Sequence, residues 1–144
     1  MQVLQKLCMN EYVGLHTILI SDRYEATYSG MTPSFVKNDF LENEIQIDLQ
    51  RLCFNAGATF IKDSIESLDF KLNEITLIRN PNIRFDILSI NTGSVSKTNK
   101  ILISNDAKYV LVKPINKLVR DLPKIDKVIN NSIITNITIV GGGI

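Results

Sequence analysis

The stretch LHTILI, from Leu15 to Ile20, decides the fold class of this chain. It is a nearly continuous apolar run that contains β-branched residues, and polar Ser21, Asp22 and Arg23 end it. Such a run is typical of a strand buried on both faces, as in a parallel sheet. We therefore expect a parallel strand whose carboxyl end lies at Ser21. His16, the chain's single histidine, is interpreted as a core or strand-edge residue.

The segments around this strand predict helices and a loop. Val3 to Met9 is short and apolar, which indicates the last turns of a helix, and Gly14 then breaks it. Tyr24 to Asn38 is rich in hydroxyl residues, glycine and proline, which favours a loop. Apolar residues recur at helical spacing from Asn43 to Ala56, and Gly57 follows as a C-terminal cap.

Three strand-like runs come next along the chain. They are Thr59 to Leu68, Glu74 to Arg79, and Ile83 to Asn91, with Phe85 to Ile90 as the most apolar part of the last. The turn Asn80-Pro81-Asn82 joins the second run to the third, which predicts an antiparallel hairpin. A polar loop follows, beginning at Thr92-Gly93-Ser94.

The carboxyl-terminal third predicts a short strand, a helix and a final strand. Tyr109 to Val112 is the short strand, and apolar residues from Ile115 to Ile129 form a helical stripe that Pro123 is expected to kink. Asn136 to Val140 (NITIV) is a strand that runs into Gly141-Gly142-Gly143. A strand followed by glycines opens a dinucleotide-binding βαβ unit; a flexible glycine tail is the alternative. This order of elements predicts an α/β fold with an antiparallel insertion.

Composition and charge narrow the class of protein. The 144 residues suit one domain, and 16 basic against 15 acidic residues leave a net charge of +1. This balance gives no electrostatic reason to expect nucleic acid or an anionic membrane as a partner. Cys8 and Cys53 lie far apart in apolar contexts and are interpreted as reduced core cysteines. No spacing suggests a metal site, and no apolar run is long enough to span a bilayer. We expect a cytoplasmic protein.

Several segments, taken in order, resemble one superfamily. YSGMTP follows the first strand and precedes IDLQRL; the later pieces are AGATFIKDSIESLD, FDILSINTGS, VKPI and ITIVGGG. This ordered set is similar to the pyridine nucleotide-disulfide oxidoreductases, especially the group like type II NADH dehydrogenases that also occurs fused to selenophosphate synthetase. The resemblance implies a partial FAD/NAD(P)-binding, Rossmann-like domain with an antiparallel β-hairpin insertion. It implies electron transfer from NAD(P)H through FAD to a quinone-like acceptor.

The resemblance also implies roles for particular residues. Ser21 and Asp22 take the position that meets the FAD ribose, where an acidic residue is usual; Asp22 is alternatively a solvated turn residue. Tyr28, Ser29, Gly30 and Pro33 match a loop near the flavin end of the cofactor, and a side chain on Gly30 is expected to clash with FAD.

Further matching positions lie later in the chain. Ile65 matches a residue whose backbone contacts the adenine edge of FAD; the alternative is that Ile65 is an ordinary core residue. Thr92 and Gly93 match an element where the chain returns to the cofactor. Lys113 and Pro114 match a Lys-Pro pair that leads into the helix before the NAD(P)H domain; Lys113 faces either an anionic group or solvent. Gly141 and Gly143 match the start of the NAD(P)H turn. The resemblance assigns no catalytic residue and no metal, and no CxxxxC supports disulfide chemistry.

The resemblance divides the chain into pieces of a larger protein. Residues 1–112 match a FAD-binding domain without its first glycine motif, 113–135 a connecting helix, and 136–144 the start of an NAD(P)H-binding domain. We interpret the chain as an internal piece that is inactive in isolation; a non-catalytic remnant, or a half-protein completed by a separately encoded partner, are the alternatives. Expected partners are the dinucleotides and the missing segments or a homodimer partner, with peripheral membrane contact only through C-terminal segments beyond this chain.

Overall fold

A computed structural model of the chain describes residues 2–10, 13–96, 109–131 and 136–141. These residues belong to two compact units, Met1–Thr92 and Gly93–Ile144. In chain order the elements are α1 (Gln2–Met9), β1 (Ile18–Ser21), β2 (Glu25–Thr27), α2 (Thr32–Val36), β3 (Gln46–Asp48), α3 (Leu49–Asn55), β4 (Thr59–Lys62), β5 (Ile65–Asp69), β6 (Glu74–Leu77), β7 (Ile83–Arg84) and α4 (Ile115–Asn130). Helices and strands therefore mix along the chain, as the α/β prediction requires.

The predicted parallel strand is confirmed as β1, which pairs with β4 in parallel register from Ile18↔Thr59 to Ser21↔Lys62. The chain between the two strands includes α3, so the pair is a strand–helix–strand crossover with an insertion. The strand is shorter and less buried than expected. Leu15 is 53% exposed, and all four residues of β1 are half-buried. His16 is also exposed, and its Nε2 lies 3.2 Å from Oγ1 of Thr59.

The predicted helix from Asn43 to Ala56 is wrong in its first half. A short 3₁₀ turn ends at Ile45, and β3 then pairs antiparallel with β2. The helix α3 begins only at Leu49, where the Asp48 carboxylate caps it by accepting the Arg51 N–H at 2.9 Å. Strand pairing over residues 46–48 overrides the apolar helical spacing, because propensity yields to tertiary contacts. The same pairing makes the Tyr24–Asn38 loop prediction wrong, since that segment holds β2, a 3₁₀ turn and α2.

The hairpin prediction is confirmed. Strands β5, β6 and β7 form an antiparallel sheet in that order, and Asn80-Pro81-Asn82 lies between β6 and β7. The expected strand at Phe85–Ile90 is wrong, because pairing stops at Arg84. The strands expected at Tyr109–Val112 and Asn136–Val140 are also wrong. These three segments do not pair as strands with any described residue, and their side chains include Ile87 at 87% and Ile139 at 86% exposure, so no packed sheet face holds them extended.

The first unit has a small core, and the second is built on α4. Among the described residues of the first unit, the buried apolar ones are Leu4, Ile45, Leu49, Cys53, Ile75 and Leu77. The second unit buries Leu118 and Val119 of α4. This helix follows the predicted stripe and contains Pro123; a kink at Pro123 stays a prediction. The α3 terminus is also as predicted, with Gly57 at φ +63° directly after the C-cap.

Candidate functional site

The carboxyl ends of β1 and β4 bring polar residues from distant parts of the sequence together. Ser21 ends β1 and Asp22 follows it, while Lys62 ends β4 and Asp63 follows that strand. The two strands run parallel, so their carboxyl ends meet at one sheet edge, and the ladder extends to an Asp63 N–H that donates to the Ser21 carbonyl at 3.0 Å. In open α/β sheets, ligands bind outside the carboxyl ends of the strands. This edge is therefore the candidate site.

Asp63 is a buried residue of this edge whose carboxylate accepts several hydrogen bonds. Its side chain is only 5% exposed. One carboxylate oxygen accepts the Ser64 N–H at 2.8 Å, and the other accepts the N–H of Arg79 at 3.0 Å and that of Asn80 at 2.9 Å. The Asn80 side-chain amide donates a further bond at 2.7 Å. Burial by itself raises the pKa of Asp63, but these hydrogen bonds together outweigh it and hold the pKa below its ordinary value.

A small cleft lies beside Asp63. Its lining, which we call the strand-end cleft, consists of Asp22, Lys62, Asp63, Ser64, Ile78 and Arg79, and its volume is about 60 Å³. The Asp22 side chain is 58% exposed and contacts the neighbouring Arg23 Nε at 3.4 Å. The Ser21 hydroxyl accepts the Arg23 N–H at 3.2 Å. An exposed carboxylate can exchange such a surface pairing for the hydroxyl groups of a ligand at small cost.

Lys62 gives the cleft one positive charge in a defined position. Its Nζ lies 5.0 Å from the centroid of the Tyr24 ring, within the range of a cation–π interaction. That ring in turn lies 5.8 Å from the ring of Phe60. The cleft thus combines an exposed carboxylate, an ammonium group held over an aromatic ring, and a buried carboxylate already saturated by donors.

A backbone hydrogen bond ties the Tyr28–Pro33 segment to another part of the first unit. The Tyr28 N–H donates to the Ile45 carbonyl at 2.8 Å, Ser29 begins a 3₁₀ turn, and Pro33 lies in the first turn of α2. A Cβ on Gly30 would lie 3.2 Å from the Tyr28 ring. The expectation that a side chain on Gly30 meets only a cofactor therefore needs correction, because Tyr28 already occupies the space beside it.

Thr32, in the same segment, carries an unusual hydroxyl group. Its side chain is 8% exposed, and its Oγ1 is buried without a hydrogen-bond partner among the described residues. Buried hydroxyls nearly always have a partner, so such an atom calls for an explanation. A ligand group against this segment would supply one.

Ile65, Thr92 and Gly93 occupy different surroundings. Ile65 begins the edge strand β5, is 41% exposed, and adjoins an irregularity in the pairing with β6. Its backbone therefore lies at a sheet edge beside Ser64 of the cleft. Thr92 is exposed, and Gly93 has φ +76° with no atom within 4 Å of the position of a Cβ. A side chain on Gly93 would thus meet no neighbouring atom, but the positive φ angle would strain the backbone.

The remaining predicted residues lie in the second unit. Lys113 is half-buried, precedes a cis peptide bond to Pro114, and its carbonyl accepts the Ser96 N–H at 3.5 Å. Gly141 is exposed with φ +101°. Gly143 lies outside the described residues. The structure thus places Ser21 and Asp22 at the carboxyl end of β1, and Ile65 directly after Ser64 of the strand-end cleft.

A larger cavity in the first unit has the wrong charge for a dinucleotide. It measures about 540 Å³ and is lined by Glu25, Glu42, Asn43, Gln46 and Asp48. Glu25 lies directly opposite Asp48 in the β2–β3 register, and three carboxylates would repel a pyrophosphate. Within the described ranges, no group of histidine, cysteine and acidic residues is arranged to hold a metal ion. No helix in those ranges is long and apolar enough to cross a membrane.

The fold is shared with part of a known structure. The sulfide:quinone oxidoreductase from the hyperthermophilic bacterium Aquifex aeolicus matches with a TM-score of 0.67 and 20% sequence identity. The match covers 89% of this chain but only 29% of that chain. No protein-family model matches the sequence, and no curated protein is significantly similar to it. The likeness establishes a common fold over a portion of a larger oxidoreductase structure.

Two notable residues of the first unit, Asp63 and Thr32, are not indicated by the sequence. Asp63 gave no local signal, because its donors Arg79 and Asn80 lie 16 and 17 residues away along the chain. At this position the sequence shows only a single acidic residue between two apolar strand runs. Thr32 lay inside the quoted YSGMTP segment, but nothing in the sequence showed that its hydroxyl would be buried without a partner.

Proposed function

We propose that this chain is a portion of a FAD-dependent oxidoreductase and that the strand-end cleft receives the adenosine ribose of the cofactor. The observation that carries the proposal is the exposed Asp22 carboxylate at the joint carboxyl end of the parallel strands β1 and β4. A carboxylate accepts two hydroxyl hydrogen bonds, which suits the two ribose hydroxyls. The fold that the chain shares with part of a sulfide:quinone oxidoreductase supports the same class of reaction.

The flavin, when bound, supplies the two-electron chemistry that links a reduced donor to a quinone-like acceptor. We propose NAD(P)H as the donor on the sequence resemblance alone, including the Gly141–Gly143 turn. In this proposal the chain's own residues bind and orient the cofactor: Asp22 accepts hydrogen bonds from the ribose hydroxyls, and the Ile65 backbone at the edge of β5 contacts the adenine edge. We also propose the Tyr28–Pro33 segment as a second contact, which the Thr32 hydroxyl without a partner among the described residues supports.

The proposal is tested by nuclear magnetic resonance with the uniformly ¹⁵N-labelled chain. ADP and FAD are titrated separately, and amide shifts are followed. We expect both ligands to shift the amides at residues 21–23 and 62–65, because both carry the adenosine that the cleft receives. FAD alone should add shifts at residues 28–33, since only FAD extends to the flavin end.

Two matched variants decide whether Asp22 makes the contact. Asp22→Asn should weaken ADP binding by roughly tenfold, which corresponds to the loss of one charge-assisted hydrogen bond of about 1.5 kcal/mol. Asp39→Asn removes the same charge from an exposed acid that pairs with Lys37 in the same unit and should leave the affinity unchanged. Equal losses of ADP affinity in both variants would mean that Asp22 acts only through the general charge of the chain. Amide shifts centred on Glu25 or Glu42 would show that the ligand does not bind in the strand-end cleft.

A further inference from the structure

The two cysteines, distant in sequence, lie on helices that contact each other. Helices α1 and α3 pack together. Leu4 and Cys8 are four residues apart on one face of α1, and Leu49 and Cys53 have the same spacing on α3. Leu4, Leu49 and Cys53 are all buried. Leu4 with Cys8 on α1, and Leu49 with Cys53 on α3, therefore form two stripes, and one cysteine lies in each.

The thiol of Cys8 reaches the backbone beside Cys53. Its Sγ lies 3.9 Å from the carbonyl oxygen of Leu52, the residue that precedes Cys53. The two residues differ in their access to solvent: Cys8 is exposed, whereas Cys53 is 1% exposed. A reagent in solution can therefore reach Cys8 first, and Cys53 only through its neighbour.

The chemistry of Cys53 agrees with this arrangement. Burial raises the pKa of the Cys53 thiol, and the nearby Cys8 raises it further. Cys53 is thus a thiol at neutral pH, not an initiating nucleophile.

We propose that Cys8 and Cys53 form a reversible disulfide that ties α1 to α3, with Cys8 as the residue that reacts first with a low-molecular-weight disulfide such as oxidised glutathione. The Cys8 thiolate attacks one sulfur of oxidised glutathione, its S–S bond breaks, and one glutathione thiolate leaves. Cys53 then loses its proton to water, and its thiolate attacks Cys8 Sγ and displaces the second glutathione. Two protein thiols are oxidised, and one oxidised glutathione becomes two reduced molecules.

The disulfide would change the stability of the first unit. It would close a loop that includes the 44-residue separation between Cys8 and Leu52. A cross-link across a loop of this length restricts the unfolded chain and raises Tm. The link would also hold α1 against α3, which leads directly into β4 and the strand-end cleft. This inference does not depend on the proposed cofactor, since the reaction is measured on the chain without FAD.

The test uses the purified full chain, oxidised glutathione at mildly alkaline pH, intact mass and peptide mapping. We expect the monomer to lose two hydrogen atoms, both free thiols to disappear, and mapping to recover one peptide that joins Cys8 to Cys53. Tm should rise on oxidation and return to its starting value with a phosphine reductant. A product that retains glutathione on Cys8, a dimer linked through Cys8, or unreacted thiols would each overturn the proposal.

Two variants separate the steps. Cys53→Ala removes the second thiol, so glutathione should remain attached to Cys8 as a stable mixed disulfide. Cys8→Ser removes the accessible thiol at an exposed position, so the folded chain should resist oxidation although Cys53 is present. Circular dichroism verifies that each variant is folded. Oxidation of Cys53 in folded Cys8→Ser at the wild-type rate would contradict the assigned order.

Discussion

At the scale of single residues, Asp63 joins three segments of the first unit. Its backbone N–H continues the β1–β4 ladder, and its carboxylate holds the turn after β6 through Arg79 and Asn80. The buried carboxylate and its four hydrogen-bond donors stabilise the fold together, because removal of the acceptor leaves the donors without partners. Asp63 therefore positions the strand-end cleft rather than binding a ligand itself.

The pH dependence of stability follows from the lowered pKa of Asp63. The folded state holds the proton less tightly than the unfolded chain, whose aspartate pKa is about 3.9. The carboxylate therefore stabilises the fold above that value, and this contribution is lost as the pH falls through the folded pKa. Asp63→Asn should lower Tm near pH 7, and the difference from wild type should shrink towards about pH 3.

Thermal melts of wild type and variant across this pH range measure the effect. Asp86→Asn is the control, because Asp86 is exposed and the same charge is removed; its Tm should follow wild type at every pH. A constant Tm difference between Asp63→Asn and wild type from neutral to acid pH would show that the charge of Asp63 does not stabilise the fold.

At the scale of elements, α3 depends on its two ends because it has only seven residues. A helix this short is not stable by propensity alone. Asp48 caps its start, and Gly57 at φ +63° lets the chain leave its end so that the Ala58 N–H returns to the Cys53 carbonyl at 2.9 Å. The direction in which β4 begins is set by this turn.

Gly57→Ala tests the helix end directly. No atom lies within 4 Å of a Cβ on Gly57, so the substitution introduces backbone strain without a steric clash. We expect a loss of about 1 kcal/mol in the free energy of unfolding, measured by urea denaturation. Gly57→Asn should lose less, because asparagine tolerates the left-handed conformation. Equal losses for alanine and asparagine would assign the effect to something other than this φ angle.

The elements that sequence predicted well are those with local causes. The apolar stripe of α4 and the glycine after α3 act within a few residues, and both are found as expected. The helix predicted at Asn43–Ala56 failed because Gln46–Asp48 gains a partner strand that the local pattern does not show. A capping aspartate at 48 before an apolar run was a signal for the true start. Ser21 and Asp22 were placed correctly at a strand end, whereas Asp63 depends on contacts distant in sequence.

At the scale of the whole molecule, the two cavities described above are poorly matched to a complete dinucleotide. The strand-end cleft holds about 60 Å³, against about 300 Å³ or more for a typical small-molecule site. The roomier cavity is acidic and would repel phosphates. If the proposed function holds, we expect the first unit by itself to contact one end of FAD rather than to enclose all of it.

The isolated chain should accordingly bind FAD weakly or not at all. Purification with excess FAD, followed by gel filtration and the visible absorption spectrum, is expected to give colourless protein. Weak adenosine binding at the cleft remains detectable by the titration proposed above, because that method reports fast exchange. A yellow complex with one flavin per chain after gel filtration would contradict this prediction, and would mean that the chain encloses the cofactor unaided.

The parallel pairing of β1 with β4 also has a consequence for the order in which the strand pairs form during folding. Ile18 pairs with Thr59 across a long crossover, whereas Ile65 and Leu77 face each other across a short hairpin. Closing the longer loop costs more chain entropy and is slower. During refolding, amide protons in the β5–β6 hairpin should become protected from exchange before those that join β1 to β4, as pulse-labelling would measure. The edge that carries the strand-end cleft would then be completed late, on a hairpin already formed.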